Sequence, residues 1–271
     1  MPVLLNDGVR VHYDRAGDGE PVILVMGTGS SGRVWHLHQV PALVGAGFTA
    51  ITPTNRGVAP SHLCDRGFGI TDLVSDLVRL VEELRLGPCR FVGTSMGSFV
   101  VQELALARPD LVRQAVLIAT RGRLDAFRAA LGRADRELYD SGIALPVRYD
   151  AVVRAMQNLS PRSLDDERAI ADWLDVFELN GLGGPGYRAQ LDIDPSDRLG
   201  AYARITAPCH VIAFADDLVT PPYLGREVAR AIPGATFEVL PDCGHYGYLE
   251  DPGAVNKSIV EFFRLPTRKA P

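Results

Sequence analysis

The sequence predicts an α/β protein with a mainly parallel sheet covered by helices on both faces. Two continuous apolar runs, "PVILVMG" (Pro21–Gly27) and "FTAITPT" (Phe48–Thr54), have the composition of strands buried on both sides. Between and after such runs come stretches of helical period, and strands alternating with helices imply parallel pairing. The chain has 271 residues, 46% of them hydrophobic and 23% charged, enough for a large core without disulfide or metal staples.

The elements follow in order. "VLLNDGVRVHY" reads as a hairpin turning at Asn6-Asp7-Gly8. The two apolar strands come next. Ile70, Leu73, Val74, Leu77, Val78, Val81 and Leu84 share one helical face, so 70–86 is an amphipathic helix. A strand over 89–94, a helix over 96–108 and a strand over 114–120 continue the alternation. Strands over 209–215 and 236–240 and a helix over 253–264 complete it. Residues 121–205 break the pattern. They hold "GRLDAFRAALGRADRELYD", "YDAVVRAMQNL" and "LDDERAIADWLDVFEL", all helix-like, and the glycine-rich Asn180–Tyr187. The expected organisation is therefore a core of 1–120 and 206–271 with a helical insertion, 121–205, after the sixth strand.

Composition narrows the partners. The net charge of −5 offers no attraction to nucleic acid or to an anionic membrane. No apolar run approaches the roughly 18 residues of a membrane span. No cationic segment followed by an apolar one marks a secretory signal at the N-terminus, so a cytoplasmic protein acting on a small molecule is expected. Cys64, Cys89, Cys209 and Cys243 are scattered without a C-x-x-C pair, which reads as reduced core or loop residues and as no metal site. Composition leaves the oligomeric state open.

The most informative stretch is "FVGTSMGSFVVQELALARP" (Phe91–Pro109). It places one hydroxyl, Ser95, between a strand and a helix, with Gly93 and Gly97 two residues to each side. A side chain shown to a substrate above a parallel sheet sits at the C-terminal edge of a strand. A sharp strand-to-helix turn puts it there, at the cost of crowding the flanking residues, and glycine removes the clash. The helix that follows aims its free N–H groups and positive dipole end at the same spot. Ser95 thus reads as a nucleophile; the alternative is a plain N-cap serine.

A serine hydroxyl needs a base to take its proton. Of six histidines, His245 in "PDCGHYGYLEDP" lies just after the last strand, at the correct sheet edge, whereas His210 falls inside a strand and reads as core. For the carboxylate that orients the base, "FADDLVTPP" offers Asp216 and Asp217. Asp217 is favoured by its place in the motif, and Asp242 is a third candidate, closer to a loop-ordering role. The oxyanion of an acyl transfer needs two N–H donors. Met96, after the nucleophile, and Thr28, in the glycine-rich "MGTGSSGRVW", are the candidates. That loop lacks both the G-x-x-x-x-G-K-[ST] and the G-x-G-x-x-G phosphate motifs.

Taken together, "MGTGSSGRVW", "NRGVAPS", "GTSMG", "FADDLVTPP" and "GHYGYLEDP" resemble the α/β-hydrolases over nearly the whole chain. The resemblance implies an eight-stranded sheet, a helical lid over the site, and Ser95, Asp217 and His245 as a catalytic triad, with no metal or organic cofactor. "GRVWHLHQVPALVGAGF" and "LVRQAVLIATRGR" are similar to hydrolase-like proteins of bacterial secondary-metabolite pathways. Two positions depart from the family pattern. Met26-Gly27 stands where His-Gly is usual, and Thr54-Asn55-Arg56-Gly57 where Asp-x-Arg-Gly is usual. The activity expected is cleavage of an ester or thioester of a small to medium, largely apolar metabolite through acyl-Ser95. Trp173, Phe177 and Tyr187 in the insertion are the candidates to face it. The rival readings are a lyase that eliminates a carboxylate, with His245 taking a carbon-bound proton, and a ligand receptor without catalysis.

Overall fold

The structure, a computed structural model, describes residues 2–181, 183–193 and 196–266. Leu182 of the glycine-rich interruption, Asp194 and Pro195 of the insertion, and 267–271 of the second core segment lie outside the described residues. The chain begins with strands β1 (Val3–Asn6), β2 (Val9–Ala16) and β3 (Glu20–Val25), then helix α1 (Gln39–Gly45) and β4 (Phe48–Pro53). Helix α2 (Ile70–Glu83), β5 (Cys89–Thr94), α3 (Met96–Ala107) and β6 (Val112–Ile118) follow. Six helices come next: α4 (Ala126–Asp140), α5 (Val147–Asn158), α6 (Pro161–Asp165), α7 (Glu167–Leu179), α8 (Pro185–Leu191) and α9 (Leu199–Tyr202). The chain closes with β7 (Cys209–Phe214), α10 (Pro222–Ala231), β8 (Thr236–Leu240), α11 (Gly247–Glu250) and α12 (Pro252–Arg264).

The eight strands form one sheet in the order β1-β2-β4-β3-β5-β6-β7-β8. The pairings β1–β2 and β2–β4 are antiparallel and all others parallel. The hairpin turns where Asp7 and Gly8 both have positive φ, the backbone of a tight two-residue turn. Alternation along each inner strand feeds two cores. Ile23, Phe91, Leu117 and Val211 point to the side covered by α2, α3 and α10, and Leu24, Val92, Val116 and Ile212 to the side covered by α1 and α12. That two-sided burial is why these strands read as unbroken apolar runs rather than as alternating ones.

Helix α2 ends at Glu83, three residues short of the sequence expectation, and its buried face carries Asp76 among leucines and valines. Asp76 is compensated there. Arg56 Nε and Nη2 donate to its two oxygens, both at 2.7 Å, and Asn6 Nδ2 donates at 2.8 Å. The helix expected around 164–179 is interrupted at Asp166, whose side chain caps α7 by accepting from Arg168 N and Ala169 N. Helix α9 returns the chain to the core: Tyr202 is fully buried, and its hydroxyl accepts from Gln102 Nε2 at 2.6 Å. The four cysteines are buried and unpaired, and burial pushes the thiols of Cys89, Cys209 and Cys243 up to about 12. His210 is held in the sheet by Thr236 and Ser258.

Strand β3 is flanked by β4 on one side and β5 on the other. The chain leaves β3 for one half of the sheet and returns to build the other. The loops after β3 and β5 therefore diverge and open a crevice at their C-terminal ends, where ligands bind in open α/β sheets.

Candidate active site

Ser95 sits at the end of β5 with φ 54° and ψ −121°, a backbone conformation rare for a residue with a side chain. The turn is clamped from below. Ser95 N donates to Ile118 O at 3.0 Å, and the Ser98 hydroxyl reaches Gly93 O at 2.7 Å and Ile118 O at 2.8 Å. The flanking glycines are steric requirements. A Cβ on Gly93 would lie 2.5 Å from Gly97 O, and one on Gly97 would lie 2.2 Å from Val25 O. Ser95 occupies the N-cap position of α3 but makes no side-chain cap bond. Its hydroxyl goes to His245 instead, with Oγ 3.0 Å from Nε2.

Behind His245, Nδ1 lies 2.8 Å from Asp217 Oδ2. Asp217 is 2% exposed and its four acceptor sites are filled. Oδ1 accepts from Val219 N (2.8 Å) and Thr220 N (2.7 Å), and Oδ2 accepts from Thr220 Oγ1 (2.7 Å) and His245. Burial alone would raise this carboxyl's pKa. The imidazole and the Thr220 donors outweigh burial and hold it below the usual carboxylate value. An ionised carboxylate can only accept, so Nδ1 carries the proton and Nε2 keeps its lone pair for the Ser95 hydroxyl. Asp216 is half-exposed, and its N–H donates to Cys243 O at 2.9 Å, which ties the two loops together. Asp242 is exposed, with φ 53°.

Thr28 and Met96 both line the cavity that holds Ser95 and His245. Gly27 packs directly on the nucleophile: a Cβ there would be 3.2 Å from Ser95 Cβ. The departures from the family pattern have structural roles here. Met26 is fully buried in the core, and its carbonyl accepts from Asn55 Nδ2 at 2.9 Å. Thr54 Oγ1 accepts from Gly32 N at 3.1 Å and fastens the same loop.

Three residues at the site escape the sequence reading. Thr220 spans Asp217 and His245, its Oγ1 3.3 Å from Nδ1; the Asp-x-x-Thr spacing was a readable signal for it. Gln190 of α8 accepts from Gly29 N at 2.7 Å and donates to Arg56 O at 3.0 Å, anchoring the Thr28 loop from the insertion. Glu250, inside "GHYGYLEDP", accepts from Gly244 N at 2.7 Å.

The cavity over Ser95, about 220 Å³, is bounded by Phe99, Arg121, Asp135, Arg154 and Tyr187 among others. Burial, with Asp135 nearby, pushes the Tyr187 phenol up to about 12, so it keeps its proton at neutral pH. Trp173 and Phe177 do not line this cavity. They stack at 5.8 Å in an adjoining chamber of about 860 Å³, with Leu37, Val58, Leu63 and Val176. Tyr187, Arg154 and Tyr246 border both spaces. Among the described residues no cluster of three or more His, Cys, Asp or Glu is placed to hold a metal ion, and no helix is long and apolar enough to cross a membrane.

Residues 22–258 match the alpha/beta hydrolase family. The chain is 48% identical over 257 residues to the Mycobacterium tuberculosis protein named non-heme bromoperoxidase BpoC, covering 94% of this chain and 98% of that one. The crystal structure of BpoC superposes with a TM-score of 0.91 over 96% of both chains. The Variovorax paradoxus protein named carbamate hydrolase RutD is 30% identical over 93% of this chain and 95% of its own. Rhodomycin D methylesterase DnrP of Streptomyces peucetius is 27% identical over 90% and 91%.

Proposed function

The chain belongs to the alpha/beta hydrolase family, and from that premise we propose that it is a serine hydrolase cleaving a carboxylic ester or thioester. One observation carries the reading: an unbroken relay from Ser95 Oγ to His245 Nε2 at 3.0 Å and from Nδ1 to Asp217 at 2.8 Å. Ser95 attacks the carbonyl carbon while Nε2 takes its proton. Asp217 holds the tautomer and stabilises the imidazolium. The Thr28 and Met96 N–H groups receive the negative oxygen. Collapse expels the alcohol or thiol, which takes the proton from Nε2. Water, activated by the same nitrogen, then releases the acid. The inserted helices act as a lid. The reacting carbonyl occupies the cavity over Ser95, and the apolar body of a small to medium substrate extends past Tyr187 toward Trp173 and Phe177.

The engaged Nε2 supports acyl transfer over carboxylate elimination, which would aim that nitrogen at a substrate C–H. The complete Ser/His/Asp set likewise supports an enzyme over a receptor. The likeness to BpoC favours one further acceptor for the acyl group. Hydrogen peroxide in place of water would give the peracid, which oxidises bromide to hypobromous acid and leaves the carboxylate.

A series of alkyl esters whose alcohol carries a β-hydrogen, run in ¹⁸O-labelled water, tests the reading, with a fluorophosphonate adduct mapped by mass spectrometry. One solvent oxygen in the released acid and an adduct on Ser95 are expected. Unlabelled acid with an alkene product, or labelling elsewhere, overturns it. Adding peroxide, bromide and a chromogenic halogen acceptor tests the second acceptor; no bromination above that of Ser95→Ala removes it.

A further inference from the structure

Glu250 stands at the junction of three parts of the molecule. It is the last residue of α11, and it reaches back to the residue before His245, where Oε2 accepts from Gly244 N at 2.7 Å. Its other oxygen faces the insertion. Oε1 accepts from Ser160 N at 2.9 Å, Ser160 Oγ at 2.6 Å and Ser163 Oγ at 2.6 Å. Ser160 is fully buried and caps α6, and Ser163 is 8% exposed. The two segments also meet through backbone: Tyr246 N donates to Asn158 O at 3.0 Å, and a Cβ on Gly244 would lie 2.6 Å from the same carbonyl oxygen.

His245 is thus gripped from both sides. Gly244 on one side of it is bonded to Glu250, and Tyr246 on the other is bonded to Asn158. Four donors converge on one carboxylate, three of them from the α5–α6 junction of the insertion. A carboxylate with both oxygens engaged fixes a loop far better than hydration would, because each bond is charge-assisted. The relay does not use Glu250 directly: its carboxylate bonds to Gly244, Ser160 and Ser163, not to the imidazole or Ser95.

We propose that Glu250 is a positioning residue: it sets the orientation of the His245 imidazole and makes that orientation depend on the seating of the α5–α6 junction. The proposal rests on the reading of His245 as the base for Ser95. Shifts of the order of 1 Å at a reacting group can cost roughly a hundredfold in rate. The carboxylate's removal therefore acts on chemistry through His245, and a lid-side change acts the same way more weakly.

The test uses the intact protein and two readouts: the rate of Ser95 modification by a fluorophosphonate, and the NMR signals of the His245 ring, above all the low-field proton shared with Asp217. Glu250→Gln, whose amide presents a donor to donors, is expected to slow labelling roughly 10- to 100-fold and to shift the low-field proton. Glu250→Asp should recover part of both, and Ser163→Ala, which touches only the lid side, should slow labelling roughly threefold. A folded Glu250→Gln with wild-type labelling and unmoved His245 signals overturns the proposal. Should that variant not fold, wild-type values in both Ser163→Ala and Glu250→Asp overturn it. A wild-type protein that is not labelled at Ser95 overturns the serine reading instead, and the His245 signals still decide the role of Glu250.

Discussion

The core and the inserted helices bury their residues in opposite styles. In α3, nine of twelve residues are buried; in α4, fifteen residues long, none is. The sheet feeds two large apolar clusters, whereas the buried cluster among the inserted helices consists of Ala151, Ala155, Leu159 and Phe177. Phe127, Ile143, Tyr149, Met156 and Leu179 stay largely exposed. Ion pairs also run through the insertion, such as Arg188 with Asp140 and Asp192, and Arg154 with Asp150. The Arg188 pairs, whose carboxylates are exposed, contribute little each, whereas Arg154 is buried and its guanidinium also donates to Asn180 O. On the proposed reading the reacting groups stand on the densely buried half, and the inserted helices supply Arg154, Trp173, Phe177 and Tyr187 to walls that the core loops complete.

The largest expected effect falls on the densely buried half. Ser95→Ala and Asp217→Asn should each lower turnover roughly 10⁴-fold while leaving the fold intact, and Asp216→Asn should change it less than about threefold. Steady-state kinetics on an activated ester decides; a larger loss in Asp216→Asn than in Asp217→Asn reverses the assignment. Stability should separate the halves next. Gly97→Ala forces a Cβ to 2.2 Å from Val25 O, while Gly183, in the insertion, has nothing within 4 Å. Urea unfolding should show a loss of about 3 kcal/mol or more for Gly97→Ala and less than about 0.5 kcal/mol for Gly183→Ala. Equal losses would break the contrast.

Within the apolar residues the same ranking holds at smaller scale. Phe91→Ala, fully buried in the sheet, should cost about 4–5 kcal/mol, and Phe177→Ala about 3 kcal/mol. Phe177→Ala should also raise KM for long acyl or alcohol chains with kcat little changed, because its ring lines the outer chamber. The smallest effect concerns acid. The folded-state pKa of Asp217 is depressed, so its contribution to stability is present above the ordinary 3.8 and disappears as pH falls through the lower folded value. The stability that Asp217 adds relative to Asp217→Asn should therefore be lost as pH falls below about 4. A difference that stays flat as pH falls from about 5 to about 2 contradicts this.

The contrast also explains what the sequence could tell. The strands were legible because two-sided burial demands uninterrupted apolar runs, and the turn at Ser95 because its clashes leave glycine alone at 93 and 97. His245 could be placed from the end of a strand, whereas Asp217 was favoured over its neighbour Asp216 only by its place in the motif. Gln190 and Glu250 could not be assigned roles, since their partners lie up to 161 residues away and no local spacing announces them. Trp173 and Phe177 were candidates to face an apolar ligand. Helical periodicity gave their face but not which of two adjoining spaces it borders, which only the packing of α5 against α7 determines.

The buried cysteines give the molecule a built-in clock. Thiolate is the form that alkylating agents attack. With Cys89, Cys209 and Cys243 held near 12, the native protein presents almost none of it at neutral pH. Modification then waits for the chain to open. Cys89 and Cys209 begin β5 and β7 and time the opening of the sheet, while Cys243 lies two residues before His245 and times the loop that carries it. The order in which an alkylating agent marks them is a record of which part of the molecule lets go first.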